Sequence, residues 1–263
     1  LKADFMCLIL FAYNVHPSYR LILAANRDEF YDRPTAVADF WKTNPDLLAG
    51  RDLKEKGTWL GVTREGSFAA VTNYRDPQSW MPDAPTRGKL VSKYLNGRVR
   101  PQKYLEKISK DATLYNGFNL LIGDPEELWV YSNRGRAQKL SAGIYGLSNH
   151  LLDTRWPKVQ RGRKMLKEAL NLRGEQLEEA LFYMLADRRL PSDGRLPDTG
   201  IGLEWERVLS SIFIKSPEYG TRSSTLLLIA KNRRVKFVEK AYNGEKLPWL
   251  TSRFSFLQRR EKS

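Results

Sequence analysis

Short apolar runs alternate with polar punctuation along most of this chain. Residues 7–13 are almost wholly apolar, and Asn14-Val15-His16-Pro17-Ser18 closes them with a turn cluster. A second apolar run covers residues 20–25, so the two predict an antiparallel hairpin. Residues 57–62 and 67–72 predict another hairpin, turned by Glu65-Gly66 and ended by Asn73. A loop rich in Pro and Asp spans 74–86. Helical patterns follow at 87–95 and 101–110, the latter with proline at the first helical position. Residues 118–122 and 128–132 predict a third strand pair around Gly123-Asp124-Pro125-Glu126, and 144–148 a further short strand. From Trp156-Pro157 to 171, Val159, Met165, Leu166, Ala169 and Leu170 give a helix with one apolar face. A second helix covers 175–186, and 191–202 reads as a mobile loop. Strands at 223–230 and 235–242 complete the pattern.

The order is strands, two helices, strands, two helices, strands. It predicts an α+β fold with helices packed on antiparallel sheet rather than alternating βαβ units. Two stacked sheets between helical layers satisfy it. A length of 263 residues, with 41% hydrophobic and 28% charged, suits a globular chain with a sizeable core. Residues 6–263 read as a single domain, and 1–5 as an extension: a tag, a wrongly assigned start or a propeptide. The extension is too short and too polar for a signal peptide. No run of about 18 apolar residues exists, so no transmembrane segment is expected.

Charge and cysteine usage narrow the chemistry. Forty-four Lys and Arg against 30 acids leave a net charge of +14, which favours anionic small molecules as partners. The basic clusters at 161–164, 231–236 and 253–262 read as solvated faces, a hairpin tip and a tail. No nucleic-acid recognition motif accompanies them, so no specific nucleic-acid partner is expected. One cysteine and no export signal place the protein in the cytoplasm. One cysteine and two isolated histidines argue against a metal site, and no metal ligand is assigned. There is no G-x-S-x-G, no P-loop and no dinucleotide fingerprint.

Cys7, the sole cysteine, follows Met6 directly at the head of the first apolar run. It has two readings. It is an inert core cysteine, or, if Met6 is a start that is removed, it is a first residue bearing both a thiol and an α-amine. The α-amine has a reference pKa of about 7.7–8.0 and can take a proton from an adjacent nucleophile. Asn26-Arg27-Asp28-Glu29 follows the second run, as a polar turn or as a group that orients Cys7. Asn73 and Asn149 read as strand-terminal amides, suited to a turn or to an oxyanion hole. Arg222 precedes a core strand, as an edge ion-pair partner, as a clamp on a substrate carboxylate, or as a charge that lowers a nearby thiol's pKa. His16 and His150 read as surface residues or as axial haem ligands, and Trp59, Trp80 and Trp156 as candidate pocket walls.

Taken in order, these segments resemble the NRDE (transport and Golgi organization) family, named for the Asn26-Arg27-Asp28-Glu29 tetrad. The resemblance spans nearly the whole chain: Met6-Cys7-Leu8-Ile9, the tetrad, Gly57-Thr58-Trp59-Leu60-Gly61, Thr72-Asn73, Gly146-Leu147-Ser148-Asn149 and Gly220-Thr221-Arg222-Ser223-Ser224-Thr225. More distantly, it is similar to cysteine N-terminal-nucleophile hydrolases such as bile-salt hydrolases and penicillin V acylases. That likeness implies an αββα sandwich and hydrolysis of an amide or thioester of an anionic small molecule, with no cofactor required. It implies Cys7 as nucleophile and base, Asp28 holding its amine, Asn73 and Asn149 stabilising the oxyanion, and Arg222 supporting the site. Asn26, Arg27, Trp59 and His150 are then the expected substrate-binding residues. The chain departs from that pattern at Ala25, where those hydrolases carry arginine, and Arg27 is expected on the other face of the strand. The alternative implied by the family is a binding or trafficking protein for haem or acyl-CoA on the same fold.

Overall fold

The first apolar run pairs as its pattern predicts. In a computed structural model, which describes residues 7–244 and 247–259, β1 (Cys7–Tyr13) lies antiparallel to β2 (Tyr19–Phe30). His16 makes the turn. Its Nδ1 accepts from the N–H groups of Ser18 and Tyr19 at 3.1 and 3.2 Å. This histidine is therefore a buried turn-former, not a surface residue.

The second strand continues through the tetrad instead of ending before it. β11 (Tyr219–Ala230) pairs with β2 as far as Phe30, so the ladder persists where the side chains turn polar. The first sheet has the order β10-β1-β2-β11-β12-β13, with β10 (Gly143–Leu147), β12 (Arg234–Ala241) and β13 (Leu250–Leu257). The second runs in chain order: β3 (Thr35–Trp41), β4 (Asn44–Asp52), β5 (Leu60–Thr63), β6 (Phe68–Asn73), β7 (Phe118–Gly123), β8 (Leu128–Ser132) and β9 (Gln138–Lys139). Every pairing is antiparallel.

Alternation along each strand divides the core in three. Ile9, Phe11, Leu21 and Leu23 meet Leu48, Val62, Phe68 and Leu121 between the sheets. Leu8, Leu10, Ile22 and Ala24 point the other way, onto Val159 and Leu166 of α3 (Pro157–Ala169) and Leu177 and Leu181 of α4 (Gly174–Leu185). α1 (Gly88–Asn96) and α2 (Pro101–Ser109) cover the outer face of the second sheet. The result is the expected αββα sandwich. With both faces of β1 buried, its apolar run has no reason to alternate.

Five elements escape the sequence pattern: β3, β4, β9, α5 (Leu203–Val208) and β13. The β3–β4 hairpin carries Asp39, Pro45 and Asp46 inside its strands. α5 is a six-residue helix. β13 occupies much of the basic stretch expected to be a solvated tail; it is an edge strand on β12, and Arg253 on it reaches Glu178 of α4. The expected mobile loop at 191–202 is likewise tethered. Thr199 donates to Glu206 through its N–H (2.9 Å) and its hydroxyl, and Arg75 bonds both Thr199 and Glu206. Among the described residues no helix is long and apolar enough to cross a membrane. The expected extension at 1–5 lies outside the described residues.

Candidate active site

Antiparallel register places Cys7 opposite Arg27. A narrow cleft opens between the sheets at this end, lined by Cys7, Ala25, Arg27, Trp59, Ala70 and Thr225 among others. It has space for roughly one water molecule. Residues 25 and 27 are two apart on a strand and share a face. Arg27 therefore lines the cleft beside Cys7, correcting the expectation that it lies on the other side. Its guanidinium stacks over the Trp59 ring at 4.4 Å, reaches Thr35 Oγ1 at 3.3 Å, and pairs with Glu29 at 3.5 Å.

The Cys7 thiol is held neutral. Burial pushes its pKa up to about 12, and the nearby Asp28 charge adds to the rise. Arg27 and a hydrogen bond from the Asp28 N–H oppose it without prevailing. The electrostatic help thus comes from Arg27, not from Arg222. Arg222 sits at a bulge in β11, between the pairs Thr221–Asp28 and Ser223–Arg27. It donates to the carbonyls of Phe30 (2.6 Å), Arg33 (3.1 Å) and Tyr242 (3.4 Å). These bonds brace the chain beyond β2, in place of the expected carboxylate clamp.

Asp28 faces the helical layer and is 3% exposed. Its Oδ1 accepts from Thr221 Oγ1 at 2.6 Å, and Thr221 Oγ1 in turn accepts from the Ile214 N–H at 2.9 Å. Its Oδ2 is buried with no hydrogen-bond partner among the described residues. Burial pushes this carboxyl well above its usual range, with Lys158 the largest opposing charge. Lys158 is 2% exposed and donates from Nζ to the Leu209 carbonyl at 2.9 Å. Burial drives its pKa down, against the pull of Asp28.

Asn26, expected to bind substrate, directs its side-chain bonds into the helical layer. Its Nδ2 donates to both Leu185 O and Ile212 O at 2.8 Å, and its Oδ1 accepts from Ser224 Oγ at 2.6 Å. Both amide hydrogens are therefore spent on carbonyls of the helical layer. Asn73 ends β6 as expected. Asn149 lies two residues past β10 and donates from Nδ2 to the Asn73 carbonyl at 2.9 Å. Ser148 Oγ donates to Asn149 Oδ1 at 2.9 Å and reaches the Cys7 carbonyl at 3.4 Å. Thr72 Oγ1 donates to Ser148 O at 2.6 Å. These bonds join the two sheets beside Cys7, bringing both asparagines to the head of β1.

His150 is adjacent in sequence but does not line the cleft. Its ring lies between Tyr74 (4.9 Å) and Trp156 (5.9 Å), with Nδ1 on Thr154 Oγ1 at 2.9 Å. Of the three tryptophans, only Trp59 lines the cleft; Trp156 carries Arg75 over its ring at 4.9 Å, and Trp80 is exposed. Sequence reasoning missed Lys158. The signal available was a misfit: a lysine in the first turn of α3, where the helix dipole disfavours a cation. Among the described residues no three His, Cys, Asp or Glu side chains gather as a metal site.

Fold and site define an αββα sandwich whose cysteine-headed strand borders a cleft lined by Arg27 and Trp59, with Asp28 on the opposite face of the neighbouring strand. Residues 6–244 match the model of Transport and Golgi organisation 2, and the chain belongs to that family. It is 39% identical to the Transport and Golgi organization protein 2 homologs of Bos taurus and Homo sapiens, each alignment covering 95% of this chain and 99% of theirs. It is 28% identical to Transport and Golgi organization protein 2 of Drosophila melanogaster, over 91% of this chain and 93% of that one. Among solved structures, the Caenorhabditis elegans N-acylethanolamine-hydrolyzing acid amidase ortholog aligns at a TM-score of 0.48 and 13% identity, covering 84% of this chain and 92% of that one.

Proposed function

We propose that this protein is a cysteine N-terminal-nucleophile-type hydrolase of an amide or thioester of an anionic small molecule, active when Cys7 is the first residue. One observation carries the reading: a buried carboxylate oxygen, Asp28 Oδ2, has no hydrogen-bond partner among the described residues, and it lies beside the head of the strand that bears the only cysteine. In the β1–β2 register Cys7, the first described residue of β1, pairs with Arg27, the neighbour of Asp28. An α-amine on Cys7 would therefore stand at the level of that carboxylate. An unpartnered buried carboxylate is costly, and a hydrogen-bonded amine removes the cost.

The chemistry then runs on the chain's own groups. The α-amine takes the Sγ proton, and the thiolate attacks the substrate carbonyl carbon. The side-chain amides of Asn73 and Asn149 stabilise the oxyanion. Collapse breaks the C–N or C–S bond, and the leaving amine or thiol takes the proton from the ammonium. Water then attacks the Cys7 thioester with the same amine as base; the C–Sγ bond breaks, the carboxylic acid leaves, and Sγ takes back the proton from the ammonium. Arg27 over Trp59 supplies the positive charge that attracts an anionic substrate. With its nitrogen tied in a peptide bond, Cys7 has no such base, and its thiol stays neutral. A cytoplasmic setting suits this chemistry because it keeps a lone thiol reduced.

The test begins with the chain expressed from Met6 and its N-terminal peptide measured by mass spectrometry. Cys7 at the terminus, with hydrolysis of acyl amides or thioesters that Cys7→Ala abolishes, is the expected result. Undiminished turnover in Cys7→Ala sinks the proposal. The alternative is a haem or acyl-CoA carrier on the same fold. A saturable haem or acyl-CoA titration in protein without hydrolytic activity would favour it.

A further inference from the structure

Lys158 is the buried group that the scheme above leaves unused. It sits in the first turn of α3, which packs on β1 through Val159 against Leu8 and Leu10. Its Nζ is anchored to Leu209 O at 2.9 Å, in the segment that also supplies Ile212 O to Asn26 and Ile214 N–H to Thr221. The lysine is bonded to one stretch of chain, 209–214, to which Asp28 is linked through Thr221. The lysine's charge acts on Asp28 and on Cys7.

We propose that Lys158 is a positioning residue that keeps the Cys7 α-amine unprotonated, by already balancing the charge of Asp28. This inference rests on the hydrolase reading. Its logic is a charge count. Arg27 pairs with Glu29, both on β2, and Arg75, stacked over Trp156, pairs directly with Glu206 of α5; each pair is neutral in sum. Tyr31, whose phenol feels Asp28, is held neutral by burial, and the Cys7 thiol is neutral. Arg222 stands further along β11, bonded to carbonyls. Asp28 and Lys158 remain as one anion and one cation. A proton on the α-amine adds a buried positive charge with no anion of its own. The amine then donates to Asp28 Oδ2 as a neutral group and keeps its lone pair for the thiol proton. Without Lys158, Asp28 would hold the amine as an ammonium, which is no base.

Cys7 is the only cysteine, so whole-protein alkylation reports on this site alone. The experiment uses protein released from a fusion whose protease leaves Cys7 first, verified by intact mass. The probe is iodoacetamide, with the alkylation rate measured from pH 5 to 10. In Lys158→Met the acid limb should move up by about one pH unit, a tenfold slower rate at a fixed pH on that limb. Lys158→Arg should keep the parent's limb. Superimposed profiles for folded Lys158→Met and parent overturn the proposal. If Lys158→Met fails to fold, the parent still decides. With 15N-labelled Cys7, an α-amine titrating below the ordinary range of about 7.7–8.0 supports it, and one at or above that range overturns it. A shifted limb in protein that hydrolyses no amide or thioester would sink the hydrolase reading and leave the charge arrangement standing.

Discussion

At the scale of single residues, the site is a set of polar side chains assigned to opposite faces of one strand. Arg27 looks between the sheets with Cys7, while Asn26 and Asp28 look into the helical layer. Asn26 satisfies two buried carbonyls at once, from the end of α4 and from the segment before β11. Removing it orphans both. Asn26→Leu should lower stability by about 2–4 kcal/mol, seen as a lower urea midpoint at unchanged slope. A midpoint within error of the parent would contradict that role. Arg27 carries a charge that favours the thiolate against the opposing charges of Asp28 and Glu29. Arg27→Met should slow iodoacetamide labelling of Cys7 several-fold at pH 9, and an equal or faster rate would show that the guanidinium does not act on the thiol.

At the scale of elements, close approach between α3 and β1 fixes where Lys158 sits. Gly162 lets the helix lie on the strand: a Cβ there would stand 2.4 Å from Leu10 Cδ1, and Leu10 is fully buried. Alanine is the better helix former by roughly 1 kcal/mol. Overpacking costs about 1–3 kcal/mol, and a core leucine has little room to yield. Gly162→Ala should therefore destabilise the protein despite its propensity, checked by thermal and urea melts. An increase in stability would show that Leu10 repacks. The β2–β11 pair matters for a different reason. Its bulge at Arg222 turns that guanidinium onto the carbonyls of Phe30 and Arg33, while its neighbours Thr221 and Ser223 stay buried.

At the scale of the whole molecule, two groups of carboxyls respond to pH with opposite sign. Asp52, Glu178 and Asp187 are each bonded to basic partners that hold them below the usual carboxylate range, although burial alone would raise them. Their stabilisation is complete above the unfolded-state values of about 4 and is lost as pH falls through the lower folded values. Asp28 and Glu239 are raised by burial, so the folded state binds their protons more readily than the unfolded state does. Their contribution grows as pH falls from neutral toward 4. Urea midpoints should hold or rise from pH 7 to pH 5 and drop steeply below pH 4. A steady decline from pH 7 would mean that His16 and His150, whose burial lowers their pKa and so disfavours their protonation in the folded state, outweigh the raised carboxyls.

The residues alone determined a great deal. Apolar runs with turn punctuation located most strands and four helices, because periodicity and turn chemistry are local properties. The ordered motifs from Cys7 to Arg222 marked which residues meet at one end of the sandwich. Tertiary structure decided the rest. The β3–β4 hairpin and β13 form because neighbouring strands supply partners that their mixed composition does not advertise. Asn26 became a brace because α4 and the 209–214 segment bring carbonyls to it. Lys158 entered the site from a helix some 130 residues after Asp28, carried there by packing of α3 on β1. A lysine's burial depends on what covers it, and no pattern within its own segment encodes that.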